Sequence, residues 1–572
     1  MASSTRVVVV AVAFTVVATF YSLSELHRMS ALHASADTVK FATQTQPEGR
    51  NLLAGATKTQ SASSVLGVVT SGVSTTSTSA STSTGSVSST AFSSTSAVVG
   101  SPAASAVSTN SGGNANAHKC YQYENTELWG DVVVWGTLNK KKTAGECCDA
   151  CRNYQPSGDE PACNVWVFCG DEKNCGSQYQ QCWLKHLPHP EASKPARQGP
   201  STHWTSGTID VDINADPGAE LLKAAAAGPP RMFHTITSAQ GAAVHWQVRI
   251  HYHWWKIRKA ECEKAGKCEM GGFTRLLHSG SSDDLMDELP TVVVDPLPQS
   301  MVEHSWYVVL NRPYAFVQWT QKVKIPEKYV LMSEPDHIFL RPMPNFMRGD
   351  APAAFPFFYI EPAKSENAHI TRKFAGNISQ RQLEEIAPIG NSPTFMTFDD
   401  MKRVMPTWMN VSIAVFKDQE ANSVWGWVQE MYGFTIALWL NGIKHVDLFL
   451  HLMAQPPWDQ EMQMGNGKPF YILHYTYGMD YKLTGEFTPG KFGEWRFDKR
   501  TYGSRPPPRH LGDPPANMKN DLVRALINSI NEATAALPCW DTYAETGKAS
   551  YDCAEMSTLK DPRFKKDGKA VA

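Results

Sequence analysis

The chain lacks an excess of charge of either sign, with 53 Lys and Arg against 55 Asp and Glu over 572 residues. That balance offers no polycationic surface and excludes nucleic acid, or an anionic membrane bound by charge alone, as the main partner. Aromatic residues are scarce from about residue 38 to 118, where Ser, Thr, Ala, Gly and Val dominate. Such a stretch has little with which to build a core and is expected to be an extended stalk. The cluster Cys147, Cys148, Cys151 has ligand-like spacing but lacks a second, matching knuckle, which disfavours structural zinc. No small-x-small cleavage site follows the N-terminal apolar run, since Ser24, Glu25 and Leu26 come next, and this disfavours a cleaved signal peptide.

What is present begins with that run. Arg6 precedes an uncharged apolar segment over residues 7–23. Its length sits at the lower end of the roughly 17 to 25 residues that a membrane-crossing helix needs. The expectation is a cytoplasmic tail over residues 1–6, a signal anchor over 7–23 and a stalk over 24–118. That is the plan of a single-pass type II protein held at the Golgi membrane with its folded part in the lumen. The length of the whole chain exceeds what one hydrophobic core serves, so more than one folded unit is expected.

Eight of the twelve cysteines, Cys120, Cys147, Cys148, Cys151, Cys163, Cys169, Cys175 and Cys182, crowd one short region. They read as a small disulfide-stapled module over residues 119–206, whose connectivity spacing does not give. Residues 207–230 read as a linker. Cys262 with Cys268 and Cys539 with Cys553 form two further local pairs, the second in a C-terminal extension over residues 503–572. The sequons at Asn377 and Asn410 suit a lumenal domain.

After Gly228-Pro229-Pro230 the pattern turns to alternating strands and helices. Strands are expected over residues 232–237, 291–294, 329–332, 353–358 and 470–474, and a helix over 244–260. The fold class this implies is α/β with a mostly parallel central sheet, in which ligands gather at the C-terminal ends of strands. The apolar strand before Ser333-Glu334-Pro335-Asp336-His337 delivers two carboxylates there. In an extended segment Glu334 and Asp336 would point to one side. A second strand end supplies His474. Glu334, Asp336 and His474 together suit a divalent cation that neutralises a departing diphosphate. The plain alternatives are a solvated acidic loop and a histidine hydrogen-bonded in the core. His245, His251 and His253 lie among aromatics and read mainly as packing or acceptor-face residues. Asp459 and Glu461, after Gln455-Pro456-Pro457-Trp458, are candidate catalytic carboxylates, with helix capping as the alternative for Asp459.

Several long motifs then stand in order: Met270-Gly271-Gly272-Phe273-Thr274-Arg275, Leu310-Asn311-Arg312-Pro313, Glu334-Pro335-Asp336-His337, Ile389-Gly390-Asn391-Ser392-Pro393, Gln455-Pro456-Pro457-Trp458-Asp459 and Trp495-Arg496-Phe497-Asp498-Lys499-Arg500. Over residues 231–502 the chain resembles the plant and algal hydroxyproline O-arabinosyltransferases. The resemblance implies a GT-A-like nucleotide-sugar domain and a retaining transfer of L-arabinofuranose from UDP-β-L-arabinofuranose to hydroxyproline of hydroxyproline-rich proteins, with a divalent metal, Mn²⁺ in particular. A looser likeness to glycogenin-like retaining transferases implies that Arg312 and Asn391 hold the donor sugar and that Lys482 meets phosphate. Thr235, Arg275 and Glu334 complete the expected donor-binding set. The segments Cys147-Cys148-Asp149-Ala150-Cys151 and Cys163-Asn164-Val165-Trp166 resemble PAN/apple domains, which implies a glycan or protein ligand for the module; because the transferase resemblance begins only around Arg231, the module is expected to be separable from catalysis. A transferase of another sugar or acceptor hydroxyl, such as serine, and a noncatalytic lectin-like scaffold are the alternatives.

Overall fold

The computed structural model describes residues 118–158, 160–216, 228–302, 307–503 and 505–553. The expected tail, anchor and stalk lie outside these residues. No helix among the described residues is long and apolar enough to cross a membrane.

The cysteine-rich region forms a five-stranded antiparallel sheet in the order Cys120–Tyr123, Thr205–Ile209, Val165–Phe168, Cys182–His186, Asp131–Val134. One helix, Ala144–Arg152, crosses it. Thr143 caps that helix by accepting the Glu146 N–H. Nine residues are too few for a helix to hold alone, and covalent links anchor it: Cys147 to Cys182, Cys148 to Cys120 and Cys151 to Cys163. Cys169–Cys175 closes a local loop. The apolar core beneath is small and centres on Trp166, Phe168 and Leu184, so cross-links worth about 2 to 4 kcal/mol each dominate its stability.

The larger unit is built on a seven-stranded sheet. In chain order its elements begin β1 (Phe233–Ser238), α1 (Ala242–Lys264), β2 (Met270–Leu277), β3 (Thr291–Val293), α2 (Asn311–Lys322), β4 (Tyr329–Ser333), β5 (His337–Phe339), β6 (Ala353–Pro356) and β7 (Ile389–Thr397). They continue with α3 (Phe398–Lys417), α4 (Gln429–Leu440), β8 (Asp447–Leu448), β9 (Met453–Ala454), β10 (Ile472–His474), β11 (Met479–Tyr481), β12 (Trp495–Phe497) and α5 (Asp521–Ala536). The sheet order is β3-β2-β1-β4-β7-β6-β8. It is parallel except where β7 pairs antiparallel with β4 and β6, so the mostly parallel α/β class holds. β5, β10 and β9 form a separate three-stranded sheet. There His337 lies opposite His474 in antiparallel register.

β4 reads as an apolar run because both faces of the sheet are covered by helices, whereas β1 buries His234, Thr235 and Thr237 beside Phe233 and Ile236. β7 is buried at every position, yet Gly390 and Pro393 disguise it. Both lie where the ladder to β6 changes register, between the pairs Pro356 with Ile389 and Ala354 with Thr394, which is where a strand tolerates such residues. α1 buries two faces. Trp246, Ile250 and Trp254, at four-residue spacing, join the α5 cluster, while Trp255 packs on Phe273 of β2 at 5.2 Å.

The C-terminal residues are not an appendage. Trp254 donates to the Ser529 carbonyl at 3.0 Å, and Arg249 to the Pro538 carbonyl at 3.4 Å. The boundary expected at 503 therefore runs through a shared core. The expected pairs Cys262–Cys268 and Cys539–Cys553 are both formed. The stapled module and the segment that follows it also pack against the larger unit. Ala192 lies on the core of α2 and α3, Lys194 pairs with Asp459 at 2.8 Å, Asp216 with Lys468 at 2.7 Å and His186 with Glu384 at 3.4 Å. A module expected to be separable shares charges with the domain it was to be separated from.

Asn377 lies exposed in the loop between two helices. Asn410 stands on the exposed face of α3, where its sequon serine, Ser412, is buried.

Candidate active site

β4 ends at Ser333 and the chain turns sharply, the His337 N–H bonding back to the Glu334 carbonyl at 3.2 Å. This turn overturns the expectation of an extended segment. The carboxylates of Glu334 and Asp336 enter two different groups instead of facing one cation.

Glu334 meets Arg312, which stands in the first turn of α2, where Pro313 is tolerated because its missing N–H has no helical partner. The guanidinium donates to Glu334 at 2.7 Å and to Asn391 of β7 and Glu430 of α4 at 3.4 Å each. Arg312, Glu334 and Asn391 are thus brought together as expected of a donor subsite, and Glu430 joins them. One cation serves two carboxylates here, and Glu430 is nearly fully buried. Burial pushes its carboxyl up to about 7, and the negative charge of Glu334 adds to that against the pull of Arg312. Burial, then the charge of Arg312, also presses His278 at the end of β2 down to about 4.

Asp336 enters the second group. Its Oδ2 lies 3.1 Å from His474 Nε2 and also contacts the Lys499 ammonium. Burial would raise the carboxyl, but Lys499 and His474 outweigh it and hold Asp336 well below the usual range. His337 Nδ1 accepts the Glu334 N–H at 3.3 Å. His251 of α1 lies behind, its Nδ1 2.7 Å from the His337 carbonyl. Burial presses both of these rings toward the neutral form.

Asp336, His337 and His474 offer ligand atoms within 4.8 Å of one another. His337 Nε2 and His474 Nδ1 are buried without hydrogen-bond partners. A carboxylate with two imidazoles is a donor set that fits a divalent ion. The residue that joins Asp336 and His474 is therefore His337 and not the expected Glu334, whose carboxylate is turned to Arg312.

The other expected residues lie elsewhere or are otherwise engaged. Lys482 is exposed and pairs with Glu486 at 2.6 Å; the lysine that reaches Asp336 is Lys499. Arg275 is fully buried and grips Asp283 through two bonds of 2.9 and 2.6 Å, which occupies the donors it would need for a nucleotide. Thr235 is buried in β1 and accepts from the Trp255 indole at 3.1 Å. Glu461 is exposed. Asp459 caps no helix. Its carboxylate closes its own turn by accepting the Gln455 N–H at 2.8 Å and pairs with Lys194 of the stapled module. Tyr477, beyond His474, is pushed up to about 12 by burial and by the charge of Asp459, so this turn adjoins the β10 end.

Sequence reasoning counted His337 in the acidic motif without giving it a metal role, and did not nominate Lys499 or Glu430. The available signals were a lysine at the end of a long recognised motif, a histidine adjoining Asp336, and a lone glutamate opening an otherwise apolar helix.

A family model described as the hydroxyproline O-arabinosyltransferase family N-terminal domain matches residues 233–448, its C-terminal counterpart matches 471–541, and a PAN domain matches 126–185. The chain is 46% identical over 355 residues to hydroxyproline O-arabinosyltransferase 1 of Arabidopsis thaliana, covering 61% of this chain and 92% of that one. It is 49% identical over 311 residues to hydroxyproline O-arabinosyltransferase RDN2 of Medicago truncatula, covering 54% and 82%. It is 23% identical over 250 residues to peptidyl serine alpha-galactosyltransferase of Arabidopsis thaliana, covering 41% and 28%. A solved structure of an active-site mutant of LgtC overlaps at 10% identity and a TM-score of 0.27, covering 42% of this chain and 87% of that one, too slight an overlap to bear on the fold.

Proposed function

The chain belongs to the hydroxyproline O-arabinosyltransferase family, and from that premise we propose that it transfers L-arabinofuranose from UDP-β-L-arabinofuranose to the hydroxyl of 4-hydroxyproline in hydroxyproline-rich proteins, with retention of configuration. The observation that carries this reading is the meeting of the Arg312, Glu334, Asn391 group with the Asp336, His337, His474 group across one turn at the end of β4.

Asp336, His337 and His474 would hold a divalent cation, Mn²⁺ in this proposal. Bound there, the cation supplies the positive charge that a departing diphosphate needs. Lys499 adds a fixed ammonium beside it, and Arg312 with Asn391 orients the donor sugar. Retention by a double displacement requires a free carboxylate facing the sugar. The nearby carboxylates are already engaged: Glu334 and Glu430 by Arg312, Asp336 by Lys499 and Asp459 by Lys194. The geometry favours same-face attack, in which the protein stabilises charge and the leaving phosphate takes the acceptor proton.

Six disulfides among the described residues support an oxidising lumen as the compartment, in keeping with a Golgi anchor over residues 7–23. The test is UDP release from UDP-arabinofuranose with a hydroxyproline-rich peptide, beside its unhydroxylated counterpart and a serine-containing one. Release with the hydroxylated peptide alone is expected. Equal release with the proline peptide would refute the acceptor, and release with the serine peptide alone would move the enzyme to another hydroxyl.

A further inference from the structure

An aromatic strip runs out of the candidate site toward the stapled module. Tyr359, half-buried after β6, lies within electrostatic reach of Glu334 and Tyr477. Its neighbour Phe358 is 62% exposed and touches it ring to ring at 5.1 Å. On the other side Tyr477 meets Trp458 at 6.4 Å, and Trp458, 48% exposed, meets Phe487 at 5.4 Å. The exposed Trp458, in ring contact with Tyr477 and Phe487, makes an apolar patch beside the β10 end, and such patches mark binding surfaces.

The Trp458 end is held from outside the larger unit. Lys194 pairs with Asp459, whose other oxygen closes the turn that presents Trp458. Farther along the same segment, Asp216 pairs with Lys468. A side chain on Gly465 would meet Gln198 of the module at 2.9 Å. The module therefore bears on the loop that carries the end of the strip.

We infer that Tyr359, Tyr477 and Trp458 form the wall on which an extended, polyproline-II acceptor segment lies, and that the stapled module positions the far end of that wall through Lys194 and Asp459. This rests on the acceptor reading above. A polyproline-II chain has no internal hydrogen bonds, repeats every three residues and presents flat pyrrolidine faces. Grooves lined by aromatic rings seat such chains at little entropic cost. A strip leading from Glu334 to an exposed tryptophan sets one residue at the reacting centre while its neighbours stack beyond it.

The test uses the full chain and its Trp458→Ala, Trp458→Phe, Lys194→Ala and Lys194→Arg variants. Peptide KM is measured with a hydroxyproline peptide, UDP affinity by calorimetry, and direct binding by anisotropy of a fluorescein-labelled oligoproline that carries no hydroxyl. Trp458→Ala is expected to raise peptide KM and weaken oligoproline binding about tenfold with UDP affinity kept, and Trp458→Phe to recover most of the loss. Lys194→Ala is expected to act in the same direction, more weakly, and Lys194→Arg to restore binding. Unchanged oligoproline binding in Trp458→Ala overturns the wall. A Lys194→Ala protein that melts earlier yet keeps peptide KM overturns the positioning role and leaves a merely structural contact. Wild-type binding of oligoproline without transfer to hydroxyproline sinks the proposed reaction, whereas transfer that survives every variant at the same KM sinks this inference alone.

Discussion

Glu334 and Asp336 are two residues apart, and the groups they enter differ in their balance of charge. On the Glu334 side one guanidinium is shared by two carboxylates and an amide, and burial, helped by the charge of Glu334, raises Glu430. On the Asp336 side a single carboxylate is met by an ammonium and a histidine ring, and it stays ionised. The difference teaches that a short acidic motif is an address and not an environment. The turn between the two residues assigns one carboxylate to orient an arginine and the other to receive cations.

The severest way to break this contrast is Asp336→Ala. It leaves Lys499 and His474 without their shared anion, so turnover of UDP-arabinofuranose is expected to fall about a thousandfold or more, and the thermal unfolding midpoint to drop as well because a buried pair loses one partner. Excess chelator should abolish transfer in the wild type, and added Mn²⁺ should restore it; activity that persists in chelator would remove the cation from the Asp336 side.

Arg312→Met attacks the other side through stability. It strands Glu334 and Glu430 without their cation, and breaking a partly buried pair of this kind costs about 3 to 5 kcal/mol. A urea titration reads the loss, and an unchanged midpoint would show that the two carboxylates find water instead.

Glu430→Gln sharpens the comparison through pH. The folded-state carboxyl, at about 7, lies above its ordinary value of 4.5, so between those pH values the folded protein holds a proton that the unfolded chain has released. The contribution of this group to stability therefore falls as pH rises through that window and is level above it. The variant should lose that slope in unfolding measurements between pH 5 and 8, within about a pH unit. An identical slope in both proteins would place the proton elsewhere.

The smallest expected effect separates two lysines. Lys482→Ala should leave UDP affinity at the wild-type value, because its amine is spent on an exposed pair with Glu486. Lys499→Ala should weaken it measurably by calorimetry.

These contrasts show what the sequence made legible. β4 and α1 were readable because a short apolar run, or a long stretch rich in tryptophan, has few alternatives, and β1 because Gly228-Pro229-Pro230 breaks the chain just before it. β7 was readable only as a motif, since Gly390 and Pro393 argue against a strand unless a register shift is known. The two local disulfides followed from proximity in the chain, whereas three of the four in the module depend on which segments of the sheet lie beneath one helix. In the site, Arg312, Asn391, Asp336 and His474 were nominated and the fold gathers them. Lys482 was preferred to Lys499 because order along the chain carries no information about which hairpin folds back. Glu334 was given to the metal because the turn that rotates it away is set by Pro335 and the His337 N–H together.

The closed ring between Cys539 and Cys553 has a practical side. It fixes a strap on which the Ala549 N–H bonds Asp284 at 2.7 Å and Tyr551 bonds Glu288 at 2.5 Å. Every cysteine of the chain is paired, so a bacterial cytosol is the wrong production host. Made there, the strap would hang loose from the β2–β3 connection and the module helix would lose its anchors. A secretory host, or refolding under a glutathione couple, is required before any kinetic constant measured on this enzyme describes the intact molecule.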